Sequence, residues 1–333
     1  MAFSLSTVSS PKTLLPSSGF LRSPPPTRLR PFSARPVPGS KTRFSNHPLS
    51  VSIGLHRRQP VKMAAATGSK QLTVFDSEEE LAVSLAKYTA ELSDKFTRER
   101  GAFTVVLSGG SLIKALRKLT ESPYLDSVEW SKWHIFWVDE RVVKKDHPDS
   151  NYKLALDGFL SKVPIPPNQI YAINDTLPPE GAADDYEARL KQLVWDHVIK
   201  VVPTSGLPRF DLMLLGMGPD GHVASLFPGH PLLKETQKWV THITDSPKPP
   251  PERITFTFPV INASAYVAMV VAGSGKVGAV HKALSGGENT GYTDRLPVEM
   301  VELEQGKFTW FTDKAAVSML NEKDTSLTTV CDH

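Results

Sequence analysis

Residues 216–228, Gly-Met-Gly-Pro-Asp-Gly-His-Val-Ala-Ser-Leu-Phe-Pro, carry Asp220 and His222 two positions apart in a glycine-rich turn. A neutral imidazole titrates near physiological pH and can take a proton from water, and a neighbouring carboxylate fixes its tautomer. General-base chemistry is therefore the first reading of this loop. Ser108-Gly109-Gly110-Ser111 is a second candidate. Glycines there allow close backbone approach, and the free N–H groups of a first helical turn favour a phosphate. The same four residues would also suit a tight turn that binds nothing. Lys276 opens a predicted helix and fits a phosphomonoester; Arg253 can add a second cation, although each alone reads equally as a surface charge. Asp139-Glu140-Arg141 ends an apolar run, so at least one of these side chains should face a ligand crevice unless the three form a structural ion pair.

Other chemistries find little support. Gly216/Gly218/Gly221 and Gly273/Gly275/Gly278 both match G-x-G-x-x-G. The first places Pro219 and Asp220 where a pyrophosphate would lie, and the second lacks an acidic ribose partner, so no nicotinamide cofactor is expected. His222 and His230 lie in a Pro-Gly-broken segment without a third ligand at zinc spacing, and no metal is expected. No G-x-S-x-G nucleophile elbow occurs.

These residues need a frame that brings them to one edge. Apolar runs at Leu72–Phe75, Phe103–Leu107, Trp133–Val138, Gln169–Ile173, Phe210–Leu215, Ile254–Phe258, Tyr266–Ala272 and Phe308–Phe311 predict strands. Ser77 with Glu80 caps a helix to about Arg98, Leu112 to Leu119 repeat at helical spacing, and a further helix is predicted from Pro179 to Lys200. Val223–Phe227 can start another element, and Pro247–Pro251 and Ser285–Asp294 read as surface loops. Alternating strands and helices, with central strands apolar throughout, predict one α/β domain: a Rossmann-like, doubly wound and mainly parallel sheet with helices on both faces. Ligands in such sheets sit at the carboxyl ends of the strands.

Charge is unevenly divided along the 333 residues. Residues 1–75 hold eleven Lys and Arg and no acidic residue, leaving 27 basic against 35 acidic residues in the remainder. An acidic folded part argues against a nucleic-acid partner, which needs clustered Lys and Arg. No stretch approaches the apolar length of a membrane span. The Ser-, Pro- and Arg-rich leader cannot bury a core and lacks the apolar region of a secretory signal. It reads as a plastid transit peptide over residues 1–65, recognised by the import machinery and removed near Val61-Lys62-Met63-Ala64. The α/β domain is expected over 66–325, with a polar tail over 326–333. Cys331, the one cysteine, lies in that tail, which leaves no disulfide or thiolate site.

Taken together, Leu107–Ser111, Val138–Arg141, Ser150-Asn151-Tyr152, the 216–228 block, Arg253-Ile254-Thr255 and Gly273-Ser274-Gly275-Lys276 resemble the 6-phosphogluconolactonase family. The resemblance covers nearly all of 71–320. With the leader, it points to a chloroplast form. It implies a sheet shared with glucosamine-6-phosphate deaminases and hydrolysis of 6-phosphoglucono-1,5-lactone, a small sugar phosphate, without metal or cofactor. By position, His222 would be the base and Asp220 its orienting carboxylate. Ser108 to Ser111, Arg253 and Lys276 would hold the 6-phosphate. Arg141 would neutralise the oxyanion or the product carboxylate, and Asp139 would bind hydroxyls or orient Arg141. Two rivals remain in view. A deaminase needs an acid five residues after the histidine, where this chain has Phe227. A sugar-phosphate-binding regulator would have no need for the Asp220–His222 pair.

Overall fold

Successive side chains of a strand point to opposite faces of its sheet, and in this protein both faces are apolar. The computed structural model describes residues 70–285 and 295–321. The leader over 1–65, the tail over 326–333 and residues 286–294 of the expected Ser285–Asp294 loop lie outside the described residues. In chain order the elements are β1 (Lys70–Phe75), α1 (Glu78–Arg100), β2 (Phe103–Leu107), α2 (Ser111–Ala115), α3 (Tyr124–Ser127), β3 (Trp133–Trp137), β4 (Asp139–Arg141) and α4 (Asn151–Gly158). Then follow α5 (Pro179–Trp195), β5 (Lys200–Val201), β6 (Pro208–Arg209), β7 (Leu212–Leu215), β8 (Val240–Ile243), β9 (Arg253–Phe256), α6 (Phe258–Asn262), β10 (Tyr266–Val271), α7 (Val277–Leu284) and β11 (Lys307–Asp313).

Six strands form the central sheet in the order β1-β11-β10-β7-β2-β3, every neighbouring pair parallel. Leu212 and Leu214 of β7, with Val105 and Leu107 of β2, join a cluster completed by Leu81 and Leu85 of α1, Leu112 of α2 and Ala155 of α4. Met213, Leu215 and Val106 enter a second cluster with Ala182 and Leu190 of α5, Val260 of α6 and Val280 of α7. The result is the doubly wound α/β architecture that the alternating pattern predicts. A small antiparallel sheet, β4-β9-β8, joins the second face, where Val240, Ile254 and Phe256 share the same cluster.

Local chemistry sets the boundaries. Ser77 Oγ accepts from the Glu80 N–H at 3.2 Å and opens α1. Gly101, at φ 74, closes the helix by donating its N–H to Thr97 at 2.8 Å. At that end Arg100 forms an ion pair with Asp211, their side chains only 7% and 3% exposed. Asp211 also accepts from the Thr104 N–H at 2.8 Å, so α1, β2 and β7 are tied at one buried point.

Four expectations change. Gln169–Ile173 is not a strand: Pro166 and Pro167 lack donors, a single 3₁₀ turn covers Pro167–Gln169, and only Ile170 bridges to Ile135. The helix expected to reach Lys200 ends at Trp195, because the chain turns at His197 with φ 60 and Val198 and Ile199 both donate back to Leu193. The Ile254–Phe258 run pairs antiparallel in the small sheet and gives way to α6 at Phe258. Val223–Phe227 starts no element; it closes a turn through the Leu226 N–H to Val223 at 2.9 Å. Among the described residues, no helix is long and apolar enough to cross a membrane.

Candidate active site

The chain leaves β2 for β3 on one side of the sheet and later returns to β7 on the other side of β2. This reversal is a topological switch point, where the loops after two adjacent strands part and open a crevice. Ser108, just beyond β2, still donates its N–H to Leu214 of β7 at 3.0 Å. Past it the two loops separate around an open cleft. Nine of the ten residues singled out from sequence line it: Ser108, Gly109, Gly110 and Ser111 after β2; Asp139 and Arg141 from β4; His222; Arg253 from β9; and Lys276 before α7. The tenth, Asp220, stands behind His222 and contacts it directly.

His222 Nδ1 lies 2.6 Å from Asp220 Oδ1. An ionised carboxylate only accepts, so this contact places a proton on Nδ1 and leaves Nε2 as the basic nitrogen. Burial raises the Asp220 pKa, but hydrogen bonds from Lys248 and His222 outweigh it and hold the group at about 2. The His222 pKa falls below its ordinary value because burial disfavours the cation more than Asp220 stabilises it. Gly218 makes the pair possible. A Cβ there would sit 2.1 Å from His222 Nδ1 and 2.6 Å from Asp220 Oδ1, so only glycine lets the imidazole lie across the turn. Below the imidazole is Phe227, its ring centroid 4.7 Å away and its side chain fully buried. The Arg253 guanidinium stacks on the Phe227 ring at 5.6 Å. Ala224, also in the cleft wall, is held at φ 52, a left-handed backbone that costs a non-glycine residue about 1 kcal/mol.

The small sheet gathers positive charge. Arg141 and Arg253 are register partners across β4 and β9. Like charges directly opposite one another are destabilising; Asp139, Asp149 and Glu140 act on Arg253 against that repulsion, and both arginines line the cleft. Glu140, between Asp139 and Arg141, accepts the N–H groups of Arg141, Asn151 and Tyr152 at 2.7, 2.8 and 2.7 Å. Burial raises its pKa to about 7 against the pull of those donors. Glu140 thus positions Arg141 and the start of α4 rather than facing substrate. Asp139 Oδ2 accepts from Ser225 Oγ at 2.8 Å.

Sequence reasoning assigned no role to two contributors, although Asn151 lies in the family-like Ser150-Asn151-Tyr152 segment. Asn151 lines the cleft, and its side chain crosses Gly109, where a Cβ would meet Asn151 Oδ1 at 1.9 Å. Asn151 Oδ1, Ser108 Oγ and Arg141 Nε are buried without a hydrogen-bond partner among the described residues, an arrangement that suits a polar ligand. The Asn151 signal was its place beside Ser150, the helix cap that accepts from the Lys153 N–H at 3.2 Å. The second is Lys248, whose Nζ donates to Asp220 Oδ1 at 2.9 Å. It sits in the Pro247–Pro251 stretch that reads as surface. Arg253, expected on the phosphate, also spends donors on that stretch: Nη2 to the Lys248 and Pro249 carbonyls at 2.8 and 3.0 Å, and Nε to Pro250 at 3.0 Å. Among the described residues, no three His, Cys, Asp or Glu side chains cluster as metal ligands.

Fold and cleft define a doubly wound α/β protein with a cationic cleft at its switch point and an Asp–His pair within it. The chain belongs to the family described as glucosamine-6-phosphate isomerases/6-phosphogluconolactonase, which matches residues 76–310. It is 65% identical over 315 residues to "Probable 6-phosphogluconolactonase 4, chloroplastic" of Oryza sativa subsp. indica, covering 91% of this chain and 94% of that one. It is 61% identical over 268 residues to 6-phosphogluconolactonase 3, chloroplastic, of Arabidopsis thaliana, covering 79% and 81%. The solved structure of 6-phosphogluconolactonase from Trypanosoma brucei superposes with a TM-score of 0.64 at 25% identity, over 77% of this chain and all of that one. Such relatives make this chain a chloroplast enzyme of the lactonase branch.

Proposed function

We infer that this chain hydrolyses 6-phosphoglucono-1,5-lactone to 6-phosphogluconate in the oxidative pentose phosphate pathway, with His222 as the general base. The observation that carries this reading is the 2.6 Å Asp220–His222 contact in a cleft ringed by Arg141, Arg253 and Lys276. Nε2 takes a proton from water as its oxygen adds to the lactone carbonyl. The tetrahedral oxyanion falls within reach of Arg141, whose Nη1 is held by the Asp149 carbonyl at 2.7 Å while Nε stays unpaired. The C1–ring oxygen bond then breaks, and the imidazolium returns its proton to the departing oxygen. One water is consumed, and the acid formed ionises, releasing one proton. Ser108–Ser111, Lys276 and the remaining donors of Arg253 hold the 6-phosphate, so remote binding fixes the ring against the base. Asp139 and Asn151 face the sugar hydroxyls. Residues 1–65 act as the leader read by the plastid import machinery.

The deaminase reading is disfavoured by Phe227. At five residues past the histidine it presents a fully buried ring against the imidazole in place of an acid. The test is proton release from freshly generated lactone, with spontaneous hydrolysis subtracted, for the full chain and for His222→Ala. Acceleration by the parent and background rates for the variant are expected. A folded parent that gives no acceleration would overturn the lactonase.

A further inference from the structure

The Ser246–Pro251 segment is built to aim one side chain. Ser246 Oγ donates to the Lys248 carbonyl at 2.8 Å and accepts the Lys248 N–H at 3.2 Å. Arg253, almost fully buried, donates to the carbonyls of Lys248, Pro249 and Pro250. The backbone of Lys248 is thereby fixed, and its ammonium reaches Asp220 Oδ1 at 2.9 Å and lies 3.2 Å from His222 Nδ1. Lys248 is thus held at both ends rather than free, although 36% of its side chain remains exposed.

We propose that Lys248 is a positioning residue of the catalytic pair: its ammonium, sharing Asp220 Oδ1 with the imidazole, keeps His222 neutral and protonated on Nδ1, and so sets the acid limit of the base. The proposal rests on the lactonase reading for its kinetic consequence only. Charge counting gives the reason. A lone Asp–His pair becomes neutral when the imidazole takes a second proton, which favours the imidazolium. With Lys248 present, the resting group of ammonium, carboxylate and neutral imidazole is already neutral, and protonating Nε2 places two cations on one carboxylate. The Nδ1 proton is committed to Asp220 at 2.6 Å, so Lys248 cannot donate to Nδ1 and acts on the ring through charge. The imidazolium formed during turnover is then under pressure to return its proton, as the second half of hydrolysis requires. Other charges facing the ring are Asp139 of β4, Arg253 behind Phe227, and Lys276, which Lys248 also affects electrostatically. None of these touches Asp220 as Lys248 does.

The test uses the full chain, its Lys248→Met and Lys248→Arg variants, and two readouts. The first is an NMR titration of the His222 imidazole, assigned by comparison with His222→Gln. The second is the pH profile of kcat/KM for lactone hydrolysis. Removing a cation this close should raise the His222 pKa by about one unit or more in Lys248→Met, move the acid limb upward equally, and leave Lys248→Arg near the parent. A titration unchanged in a folded Lys248→Met protein overturns the proposal. So does a loss confined to KM with no movement of the limb, which would assign Lys248 to substrate phosphate instead. If Lys248→Met does not fold, Lys248→Gln replaces it with the same expected shift. A shifted titration in a chain that hydrolyses no lactone supports the role of Lys248 while overturning the lactonase reading, because the first readout needs no turnover.

Discussion

Gly218→Ala isolates the geometry of the base from its chemistry. The added methyl carbon would lie 2.1 Å from both Cε1 and Nδ1 of His222 and 2.6 Å from Asp220 Oδ1, distances at which the imidazole must swing away. The backbone is not the obstacle, since Gly218 does not occupy the left-handed region and its N–H bond to the His222 carbonyl, at 2.9 Å, can persist. What is lost is the 2.6 Å contact that orients the ring. A positioned general base contributes about 10²–10⁴ in rate, equivalent to roughly 3–5 kcal/mol of transition-state stabilisation. The substitution should therefore lower kcat by that range while largely sparing KM, because Arg141, Arg253 and Lys276 do not contact the turn through Gly218. Adding His222→Gln to it should change little more, as expected for residues that act as a unit. Gly278→Ala, in α7 with open space around the site, is the control; there alanine should leave activity intact and stabilise the helix by about 0.5–1 kcal/mol. Stopped proton-release traces of lactone opening provide the measurement. A Gly218→Ala protein within about threefold of the parent kcat would show that the imidazole does not need the position seen here.

The lowered His222 pKa predicts a pH profile with its acid limb below the ordinary 6.5 and a plateau through neutrality, because the base works when deprotonated; a limb centred above 7 would contradict the burial argument. Asp211→Ala leaves Arg100 buried without its partner, which should cost about 3–5 kcal/mol and lower Tm by roughly ten degrees, with near-parental kcat for whatever remains folded; calorimetry showing no drop would refute it. Glu140→Gln turns one of the two accepting oxygens, Oε1 for the Arg141 and Asn151 N–H groups or Oε2 for that of Tyr152, into an amide nitrogen and should cost about 1–3 kcal/mol. Because the Glu140 pKa is raised in the folded state to about 7 from 4.5, the parent binds that proton more tightly when folded and loses this contribution as pH climbs between the two values. The stability gap between parent and Glu140→Gln should therefore narrow from pH 5 to pH 8, and denaturant melts showing a constant or widening gap would reverse the assignment.

The inner strands β2, β7 and β10 could be read from sequence because two apolar faces leave almost no polar interruption: Leu212 through Leu215 is continuous, and so is Phe103 through Leu107 apart from Thr104. The Asp220–His222 turn was equally legible, since a carboxylate and an imidazole two residues apart in a glycine-rich turn need no tertiary information. The small sheet was not. Asp139–Arg141 is three charged residues long and has no strand pattern of its own; it becomes β4 only because β9 offers a ladder. Val240–Ile243, four residues with a histidine inside, is similarly defined by its partner. Lys248 was hidden for a further reason. Its proline-rich surroundings are what a solvent loop looks like, and the contacts that turn it inward come from Arg253 and Asp220, five residues and 28 residues away.

The family's name covers two reactions, which place different demands on the groups around His222. Hydrolysis of a lactone moves one proton along a short path, from the attacking water to the ring oxygen that departs from the same carbon, so a single imidazole can serve both ends. Deaminating isomerisation moves protons between neighbouring sugar carbons and also to a leaving amine, which needs an additional acid in the ring's vicinity. Here Asp220 is committed to the Nδ1 face of His222 and to Lys248. The opposite wall is Phe227, with Arg253 stacked on its ring. An acid introduced at Phe227 would be almost fully buried and drawn toward that guanidinium as an ion pair. Phe227→Glu should therefore lose stability and lactone hydrolysis without gaining release of ammonia from glucosamine 6-phosphate, measured by a coupled ammonia assay. Measurable ammonia release by a folded variant would mean that this one position, rather than the commitment of Asp220, divides the two activities.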